Sequence, residues 1–243
     1  MSEAMRHDAV DDQLTRKILA LSRTTLFGGM DTSMLNRLAA LAEWRVAASG
    51  AFLFHKDDPG QHLLVIHKGR VKIVTEAADG REVTLNLLGP GAVFGEMAFA
   101  DGGKRTASAV TTEPCELLAF SRRQFLPFLT SQPDMMLQML AALCERARWL
   151  AESFEDSAFL ELAPRLAKRL LFLSASFGFD TPRGRRLAVS LPHRELATHM
   201  NVTRESINRL IQKWRQEGII EEHRGIVVLL DIKRLESLAG DAA

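Results

Sequence analysis

The sequence predicts an α+β fold, in which a β-sandwich or β-barrel precedes one long helix and a small helix-rich domain. Short alternating or apolar segments separated by turns occupy residues 43–122, a pattern typical of antiparallel sandwiches and barrels. The longest uninterrupted helical pattern follows at 133–160, and two short helices with a β-hairpin occupy the C-terminal part. We therefore expect three regions, which are residues 1–132, 133–163 and 164–243.

The composition is that of an ordinary globular protein and argues against several kinds of site. The chain has 243 residues, of which 47% are hydrophobic and 25% charged, and this suits two domains or one large one. No apolar run approaches a membrane span, and the polar start has no signal-peptide core. The two cysteines, Cys115 and Cys144, are too few for a disulfide framework, a four-cysteine zinc site or an all-cysteine iron–sulfur cluster. We expect a cytoplasmic protein with no metal and no membrane partner.

Charge is distributed unevenly along the chain, although the formal net charge is only +1. Residues 165–243 carry 14 Lys and Arg against 9 Asp and Glu, whereas residues 1–164 carry 17 against 21. A basic C-terminal third favours a polyanionic partner for that part of the chain.

Two helices and then a series of short strands are predicted for the first half of the chain. Residues 11–42 form two helical segments, and Asp31 or Thr32 can cap the second of them. Turn signals separate the strands that follow, and Asp79-Gly80 between two alternating segments indicates a β-hairpin. A glycine-rich segment with one helical turn interrupts these strands.

The segment that interrupts the strands, residues 89–110, carries the first candidate site, and we call it the cassette. A glycine-rich turn that enters one helical turn presents free backbone N–H groups, which suit an anion. Arg105 adds a planar charged group that pairs with phosphate, and Glu96 can accept hydrogen bonds from the hydroxyls of a sugar. These residues indicate a nucleotide pocket without catalytic groups. The alternative is a salt bridge between Glu96 and Arg105 that only closes the loop.

The long helix predicted at 133–160 begins with Pro133 in its first turn, where proline is tolerated. Six apolar residues then follow one another in steps of four and three, which is the heptad pattern of a coiled coil. Polar residues flank this narrow stripe, so a dimer seam is favoured over a helix buried in the core of its own chain. The predicted seam consists of Met136, Leu140, Leu143, Ala147, Leu150 and Phe154.

The C-terminal part is predicted to form a winged helix-turn-helix. Pro164 begins a helix that ends at Gly178, and a turn-rich connection with one short strand follows. Two further helices meet at Asn201, a residue that tolerates the left-handed conformation of a tight turn. Two short strands around Arg224-Gly225 then form a β-wing, and a last helical turn or two ends the chain.

The second helix of this motif carries polar groups that suit nucleic acid. Arg204 and Arg209 present guanidinium groups that match the O6/N7 edge of guanine, and Glu205 can accept from cytosine N4. Thr203 can cap the helix and also offer its hydroxyl to a phosphate. A charged and merely solvated helix face is the alternative, which the helix-turn-helix context disfavours.

The cassette resembles the phosphate-binding cassette of cyclic-nucleotide-binding domains. That motif is Phe-Gly-Glu, a short apolar turn, then Arg, Ser/Thr or Ala, and Ala; Phe94–Glu96 and Arg105–Ala107 match it here. Over roughly residues 20–235 the chain resembles the bacterial cyclic AMP receptor protein/FNR (Crp/Fnr) superfamily of transcription regulators, in its receptor-protein-like branch. The resemblance implies a jelly-roll barrel that binds a cyclic nucleotide, a long dimerisation helix and a DNA-binding winged helix-turn-helix.

The resemblance also implies partners and the residues that bind them. The implied effector is a 3′,5′-cyclic nucleotide, cyclic AMP or cyclic GMP, and the implied target is a near-palindromic, TGTGA-like site in double-stranded DNA. Its ligand contacts would be Gly95, Glu96, Met97, Ala98, Arg105, Thr106, Ala107, Arg146 and Leu150. Bases would be contacted by Arg204, Glu205 and Arg209, and DNA phosphates by His193, Thr203 and Ser206. The implied species is an allosteric homodimer that works with RNA polymerase. It is not an enzyme, and the sequence contains no Walker loop, nucleophile elbow or HExxH motif.

Departures from the family pattern leave the effector open. In the receptor-protein branch a Thr-Ser pair on the dimer helix contacts adenine, but Leu150 and Ala151 stand there in this chain and cannot hydrogen-bond through their side chains. Thr106 is the residue type that favours guanine in many cyclic-nucleotide domains. Cyclic di-GMP, another effector or no nucleotide ligand are therefore alternatives. The cysteine cluster of the FNR type is missing, and His62 and His67 look like surface strand residues rather than haem ligands.

Overall fold

The computed structural model of this chain describes residues 3–76 and 82–240, with side chains from residue 12 onward. The hairpin turn predicted at Asp79-Gly80 lies outside the described residues. The chain divides into two compact units. The first unit contains Met1–Thr75 and Leu85–Arg146, and the second contains Glu76–Thr84 and Ala147–Ala243.

Eight of the described strands form two four-stranded antiparallel sheets. The first sheet has the order β1 (Ala42–Ala47), β8 (Cys115–Ser121), β3 (His62–Lys68) and β6 (Val93–Phe94). The second has the order β2 (Phe52–Phe54), β7 (Ser108–Thr111), β4 (Val71–Glu76) and β5 (Glu82–Leu88). Apolar side chains from both sheets share one core. The predicted jelly-roll architecture is therefore present as an open sandwich. It is not a closed barrel, because the described strands form two separate sheets, each of which keeps two edge strands.

Helices cover the other face of the first sheet. Along β3, Leu64 and Ile66 face the second sheet, whereas Leu63 and Val65 pack with α1 (Glu3–Ser22) and α2 (Thr32–Leu41). Asp31 caps α2, since its carboxylate accepts a hydrogen bond from the Met34 N–H at 2.8 Å. This second core also receives α3 (Glu96–Asp101) and α4 (Arg122–Thr130). The ring centroids of Phe99 in α3 and Phe125 in α4 lie 5.6 Å apart.

The predicted long helix is α5 (Pro133–Phe159), which has 27 residues. Its first two turns pack into the core of the first unit through Met135 and Met139, which are 2% and 5% exposed. The residues of the predicted seam occupy other positions of the helix. Leu143 is half-buried, and the remaining five, Met136, Leu140, Ala147, Leu150 and Phe154, are exposed. The stripe thus presents an apolar surface that its own chain does not bury within the described residues.

The second unit contains the predicted winged helix-turn-helix. Its elements are α6 (Leu162–Phe177), β9 (Gly178–Thr181), β10 (Gly184–Ser190), α7 (His193–Met200), α8 (Arg204–Gln216), β11 (Ile220–His223), β12 (Ile226–Leu229) and α9 (Ile232–Gly240). The strands form one antiparallel sheet in the order β11-β12-β10-β9. The prediction of a single strand after α6 was wrong, because Gly178 ends the helix and also begins β9. Helix α6 starts before Pro164, which keeps the proline within the first turn.

The turn between α7 and α8 sets the position of the second helix. Asn201 adopts the predicted left-handed conformation, with φ 51°. Thr203 caps α8, and its Oγ1 accepts from the Ser206 N–H at 3.2 Å. Arg165 of α6 donates to the Met200 carbonyl at 2.5 Å and so fixes the end of α7. Ile207, Ile211 and Trp214 bury the inner face of α8.

Candidate functional site

A pocket in the first unit lies where the cassette meets β2, β4 and α5. Its cavity volume is about 50 Å³, and its mouth is open to solvent. Eight of the nine ligand residues expected from the sequence line it, namely Gly95, Glu96, Met97, Ala98, Arg105, Thr106, Ala107 and Arg146. The ninth, Leu150, belongs to the second unit, and its side chain is 48% exposed. The structure therefore gathers most of the expected residues around one cavity.

Arg105 is the buried cation of the pocket and is only 5% exposed. Its Nη1 donates to the Gly95 carbonyl at 2.7 Å and its Nη2 to the His62 carbonyl at 2.6 Å. The Phe54 ring covers one face of the guanidinium, with 4.1 Å between Cζ and the ring centroid. Burial lowers the pKa of Arg105, while the Glu96 and Asp58 carboxylates act in the opposite direction. The guanidinium stays charged, because arginine does not deprotonate in proteins.

One donor of this guanidinium has no acceptor. The Nε of Arg105 is buried and has no hydrogen-bond partner among the described residues. Leaving a buried donor unpaired is costly, particularly on a charged group. Because Nε has no exposed surface, an anion would pair with it only if the Arg105 side chain turned into the pocket. The buried cation with an unpaired donor is the feature of the site that most directly indicates an anionic ligand.

Gly95 allows the backbone to pass close to Arg105. It has φ 79°, a left-handed conformation that other residues rarely adopt. A Cβ at this position would stand 2.5 Å from Nη1 of Arg105. The glycine of the Phe-Gly-Glu motif is thus required by both the backbone angle and the space beside the guanidinium.

Glu96 forms an ion pair with α5. Its Oε1 lies 3.3 Å from Nε of Arg146, and the two side chains are 12% and 29% exposed. The alternative in which Glu96 closes the loop through Arg105 does not hold, because Arg105 is turned towards the carbonyls of Gly95 and His62. The acidic group expected to bind a sugar is therefore paired with a residue of the long helix.

Three pocket residues were not among the expected ligand contacts. Phe54, Ile73 and Phe94 add an apolar wall to the pocket lining. Phe94 precedes the motif glycine and could have been included from the sequence. Phe54 and Ile73 come from β2 and β4, and no local pattern connects them with the cassette. Thr106 and Met97, at the pocket's rim, are exposed.

The outer face of α8 is the second candidate site. Arg204, Glu205 and Arg209 are all exposed, as expected for residues that contact bases. Thr203 and Ser206 lie at the start of the helix, with their hydroxyl oxygens 2.9 Å apart. These five residues lie on the N-terminal half of one helix, which is the part that enters the major groove in helix-turn-helix proteins.

His193 differs from the other expected DNA contacts, because its ring is turned into the domain. The side chain is 21% exposed, and its Nε2 is buried. Nδ1 is hydrogen-bonded to Oδ1 of Asn208 in α8. Nε2 lies 3.7 Å from Oε2 of Glu222 in β11.

Comparisons with known proteins assign both parts of the chain to known domain families. A family model described as "Cyclic nucleotide-binding domain" matches residues 44–132, and one described as "Crp-like helix-turn-helix domain" matches residues 164–238. The "CRP-like cAMP-activated global transcriptional regulator" of Mycobacterium tuberculosis is 30% identical over 215 residues, which are 88% of this chain and 96% of that protein. The chain belongs to the Crp/Fnr family. Its pocket lies mainly in the nucleotide-binding match, and α7 and α8 lie in the helix-turn-helix match.

Other Crp/Fnr proteins extend the comparison. The "Cyclic AMP receptor protein" of Thermus thermophilus is 31% identical over 214 residues, covering 88% of this chain and 96% of that protein. The solved structure of the Thermus thermophilus catabolite activator protein is 31% identical, with a TM-score of 0.52, and the match covers 90% of this chain and 99% of that one. A CRP-family transcriptional regulator of the same organism is 25% identical, with a TM-score of 0.68 and coverage of 82% and 97%.

The relatives of this Crp/Fnr protein are named as transcription regulators. The chain is therefore a transcription regulator of this family, with a nucleotide-binding domain and a DNA-binding domain. Within the described part of the chain, no helix has both the length and the apolar character needed to cross a bilayer. The same residues contain no group of three or more His, Cys, Asp or Glu side chains placed to hold a metal ion.

Proposed function

We propose that this chain is a homodimeric, non-enzymatic transcription regulator whose binding to a near-palindromic, TGTGA-like DNA site is controlled by a 3′,5′-cyclic nucleotide, cyclic AMP or cyclic GMP. The observation that carries the proposal is the buried Arg105 with its unpartnered Nε. It lies beside Gly95, which has no side chain and so lets the backbone pass close to the guanidinium. The names of the two curated relatives, one cAMP-activated and one a cyclic AMP receptor, favour the same class of effector.

The pocket residues fit the parts of a cyclic nucleotide. The phosphate would bind to Arg105, Thr106 and the Gly95–Ala98 backbone, since these offer a cation, a hydroxyl and N–H groups. The ribose hydroxyls would donate to Glu96. The apolar wall that contains Phe54 would exclude water from these polar contacts.

Ligand binding would change the ion pair between the cassette and the long helix. A ribose on Glu96 would share this carboxylate with Arg146, so ligand binding would alter the surroundings of the pair. Helices α3 and α4 are tied together, because Nε of Arg122 donates to the Phe99 carbonyl at 2.7 Å. Since α4 leads directly into α5, a shift of the cassette reaches the long helix by a second route. The ligand can move this equilibrium only by its difference in affinity for the two states.

The proposed dimer forms along α5. Its seam has the heptad spacing of a coiled coil and exposes large apolar groups, of which Phe154 is 75% exposed. Pairing with a second copy would bury this stripe and present two α8 helices to one DNA duplex. Successive major grooves on one side of the duplex are about 34 Å apart, which sets the spacing of the two half-sites. RNA polymerase is the proposed partner on DNA.

The identity of the base is the least constrained part of the proposal. Leu150 offers no side-chain hydrogen bond to adenine, whereas the exposed Thr106 hydroxyl is suited to guanine. Cyclic GMP, or both nucleotides, is therefore proposed alongside cyclic AMP.

A second candidate function is a family regulator that responds to cyclic di-GMP, to another effector or to no nucleotide ligand. One observation favours it: apart from Nε of Arg105, the charged groups of the pocket already have partners within the chain. Arg105 binds the carbonyls of Gly95 and His62, and Glu96 binds Arg146. Such a cassette would be a structural element of the fold.

Calorimetric titration with cyclic AMP and cyclic GMP separates the two functions. We expect micromolar binding of at least one nucleotide, weakened at least about tenfold in Arg105→Lys, which cannot form two parallel hydrogen bonds with phosphate. Lys104→Ala is the matched control, because Lys104 neighbours Arg105 but does not line the pocket. If neither mononucleotide binds, the cyclic-nucleotide proposal is wrong. A melting-temperature screen with cyclic di-GMP then tests the alternative.

A further inference from the structure

We propose that His193 is a positioning residue that holds the recognition helix α8 and the β-wing in one fixed arrangement, and that it does not itself contact DNA phosphate. The resemblance to Crp/Fnr proteins had implied a phosphate contact. This inference rests on the proposed DNA binding and assigns His193 a different part in it. We call His193, Asn208 and Glu222 the His193 network.

The His193 ring connects three elements of the second unit. His193 is the first residue of α7, and its Nδ1 bonds to Asn208 of α8. At the other edge of the ring, Nε2 lies 3.7 Å from Oε2 of Glu222 in β11, a contact too long for a hydrogen bond. Both ring nitrogens therefore point into the protein, and Nε2 has no exposed surface with which to meet a phosphate.

Glu222 extends the network into the turn of the wing. Its side chain is 12% exposed, and its Oε1 accepts from the Gly225 N–H at 2.6 Å. Arg224 and Gly225 have φ 52° and 78°, so the carboxylate stabilises a turn with two left-handed residues. The Gly225 carbonyl in turn accepts from the Leu191 N–H at 2.6 Å, just before α7. The wing turn is thus fastened to the start of α7 by backbone as well as side chain.

Asn208 is placed where it controls the rotation of α8. It precedes Arg209 and lies one helical turn after Arg204, both of which are proposed to contact bases. Successive residues of a helix point about 100° apart. An anchor from Asn208 to His193 therefore fixes the directions in which Arg204 and Arg209 leave the helix.

Histidine suits this role because its rigid ring presents two nitrogens that point in different directions within one plane. An asparagine or glutamine side chain can replace only one of these two nitrogens. Asparagine places a nitrogen near Nδ1 and can keep the bond to Asn208, whereas glutamine places one near Nε2 and can keep only the contact with Glu222. The two amides and alanine form a graded set, and none of the three carries a positive charge.

The experiment uses a labelled duplex that carries the proposed near-palindromic, TGTGA-like site, which we call the operator. Its affinity is measured by fluorescence anisotropy at several salt concentrations for the wild type, His193→Asn, His193→Gln and His193→Ala. We expect His193→Ala to weaken binding about tenfold and to lower the ratio of operator to scrambled-duplex affinity, since misdirected base contacts cost specificity. The slope of log affinity against log salt should not change. His193→Asn should recover most of the loss, because it restores the anchor of α8.

Two results would overturn the proposal. One is an equal loss of affinity on both duplexes in all three variants, which is the signature of a lost phosphate contact. The other is wild-type affinity and specificity in His193→Ala, which would mean that the network positions nothing.

A second measurement keeps the network testable if operator binding itself fails. A wild type that does not prefer the operator refutes the proposed function, and thermal unfolding without DNA then tests the network alone. His193→Ala and Asn208→Ala should be non-additive by about 2–4 °C in the double variant. Additive shifts would refute the network whether or not the chain binds the operator.

Discussion

Gly95 lies where the backbone passes closest to the Arg105 guanidinium, and a methyl group there should damage the pocket. A Cβ would stand 2.5 Å from Nη1 of Arg105, at a residue with φ 79°. We expect Gly95→Ala to lower the free energy of unfolding by about 2–3 kcal/mol through strain and steric conflict. Gly50→Ala is the control, since Gly50 has φ 77° but open space around it, and we expect a loss of about 1 kcal/mol. Urea unfolding measures both, and equal losses would mean that the contact with Arg105 is unimportant.

His199 makes the stability of the second unit depend on pH. Burial, and secondly the charge of Arg169, lower the pKa of His199 from 6.5 to about 4. The folded protein therefore binds this proton more weakly than the unfolded chain. Neutral His199 makes its full contribution to the free energy of unfolding above pH 6.5, and this contribution is lost as the pH falls towards 4.

Between pH 7 and 4.5 we expect His199 to account for about 2–3 kcal/mol of lost stability. His199→Leu removes the titrating group, so urea unfolding of the variant should show a smaller difference between the two pH values. The same pH-dependent loss in wild type and variant would refute the role of His199.

At the scale of an element, the apolar stripe of α5 should decide the oligomeric state. Leu140 lies on the seam and is 56% exposed in the single chain. A charge buried in the seam costs several kcal/mol, so we expect Leu140→Glu to weaken a dimer more than about a hundredfold. Ala141→Glu places the same charge on the next, exposed position off the seam and should leave the dimer intact. Sedimentation distinguishes the 27.0 kDa chain from its dimer, and a monomeric wild type would refute the seam.

The elements that could be predicted are those specified by neighbouring residues. The Phe-Gly-Glu motif, the seven-residue repeat of α5 and the Asn201 turn are local patterns, and the structure contains the expected turn and helices. Phe54 could not be assigned to the pocket, because it reaches Arg105 only through the pairing of β2 with β7, where the register shifts between Phe52 and Phe54. The inward orientation of His193 was missed for the same reason, since its partners lie on other elements.

At the scale of the whole molecule, the proposed effector site and DNA site lie in different units that α5 connects covalently. Arg146 is the last residue of the first unit. The next residue of α5, the seam residue Ala147, belongs to the second unit. The ion pair of Glu96 with Arg146 therefore acts on the long helix at the point where the first unit ends. A ligand that changed this pair would act on the helix beside the proposed dimer seam, which is the route we propose from the cassette to the DNA-binding unit.

This arrangement predicts a reciprocal coupling between nucleotide and DNA. If the nucleotide raises operator affinity by a given factor, the operator must raise nucleotide affinity by the same factor, and typical couplings are about 5–150-fold. Anisotropy with and without nucleotide, and calorimetry with and without operator duplex, give the two factors independently. Arg146→Gln removes the ion pair between the cassette and the long helix. We therefore expect the effect of nucleotide on operator affinity and the effect of operator on nucleotide affinity to shrink equally, towards a factor of 1. An operator affinity that does not respond to a nucleotide shown to bind would mean that the pocket and the DNA site are uncoupled.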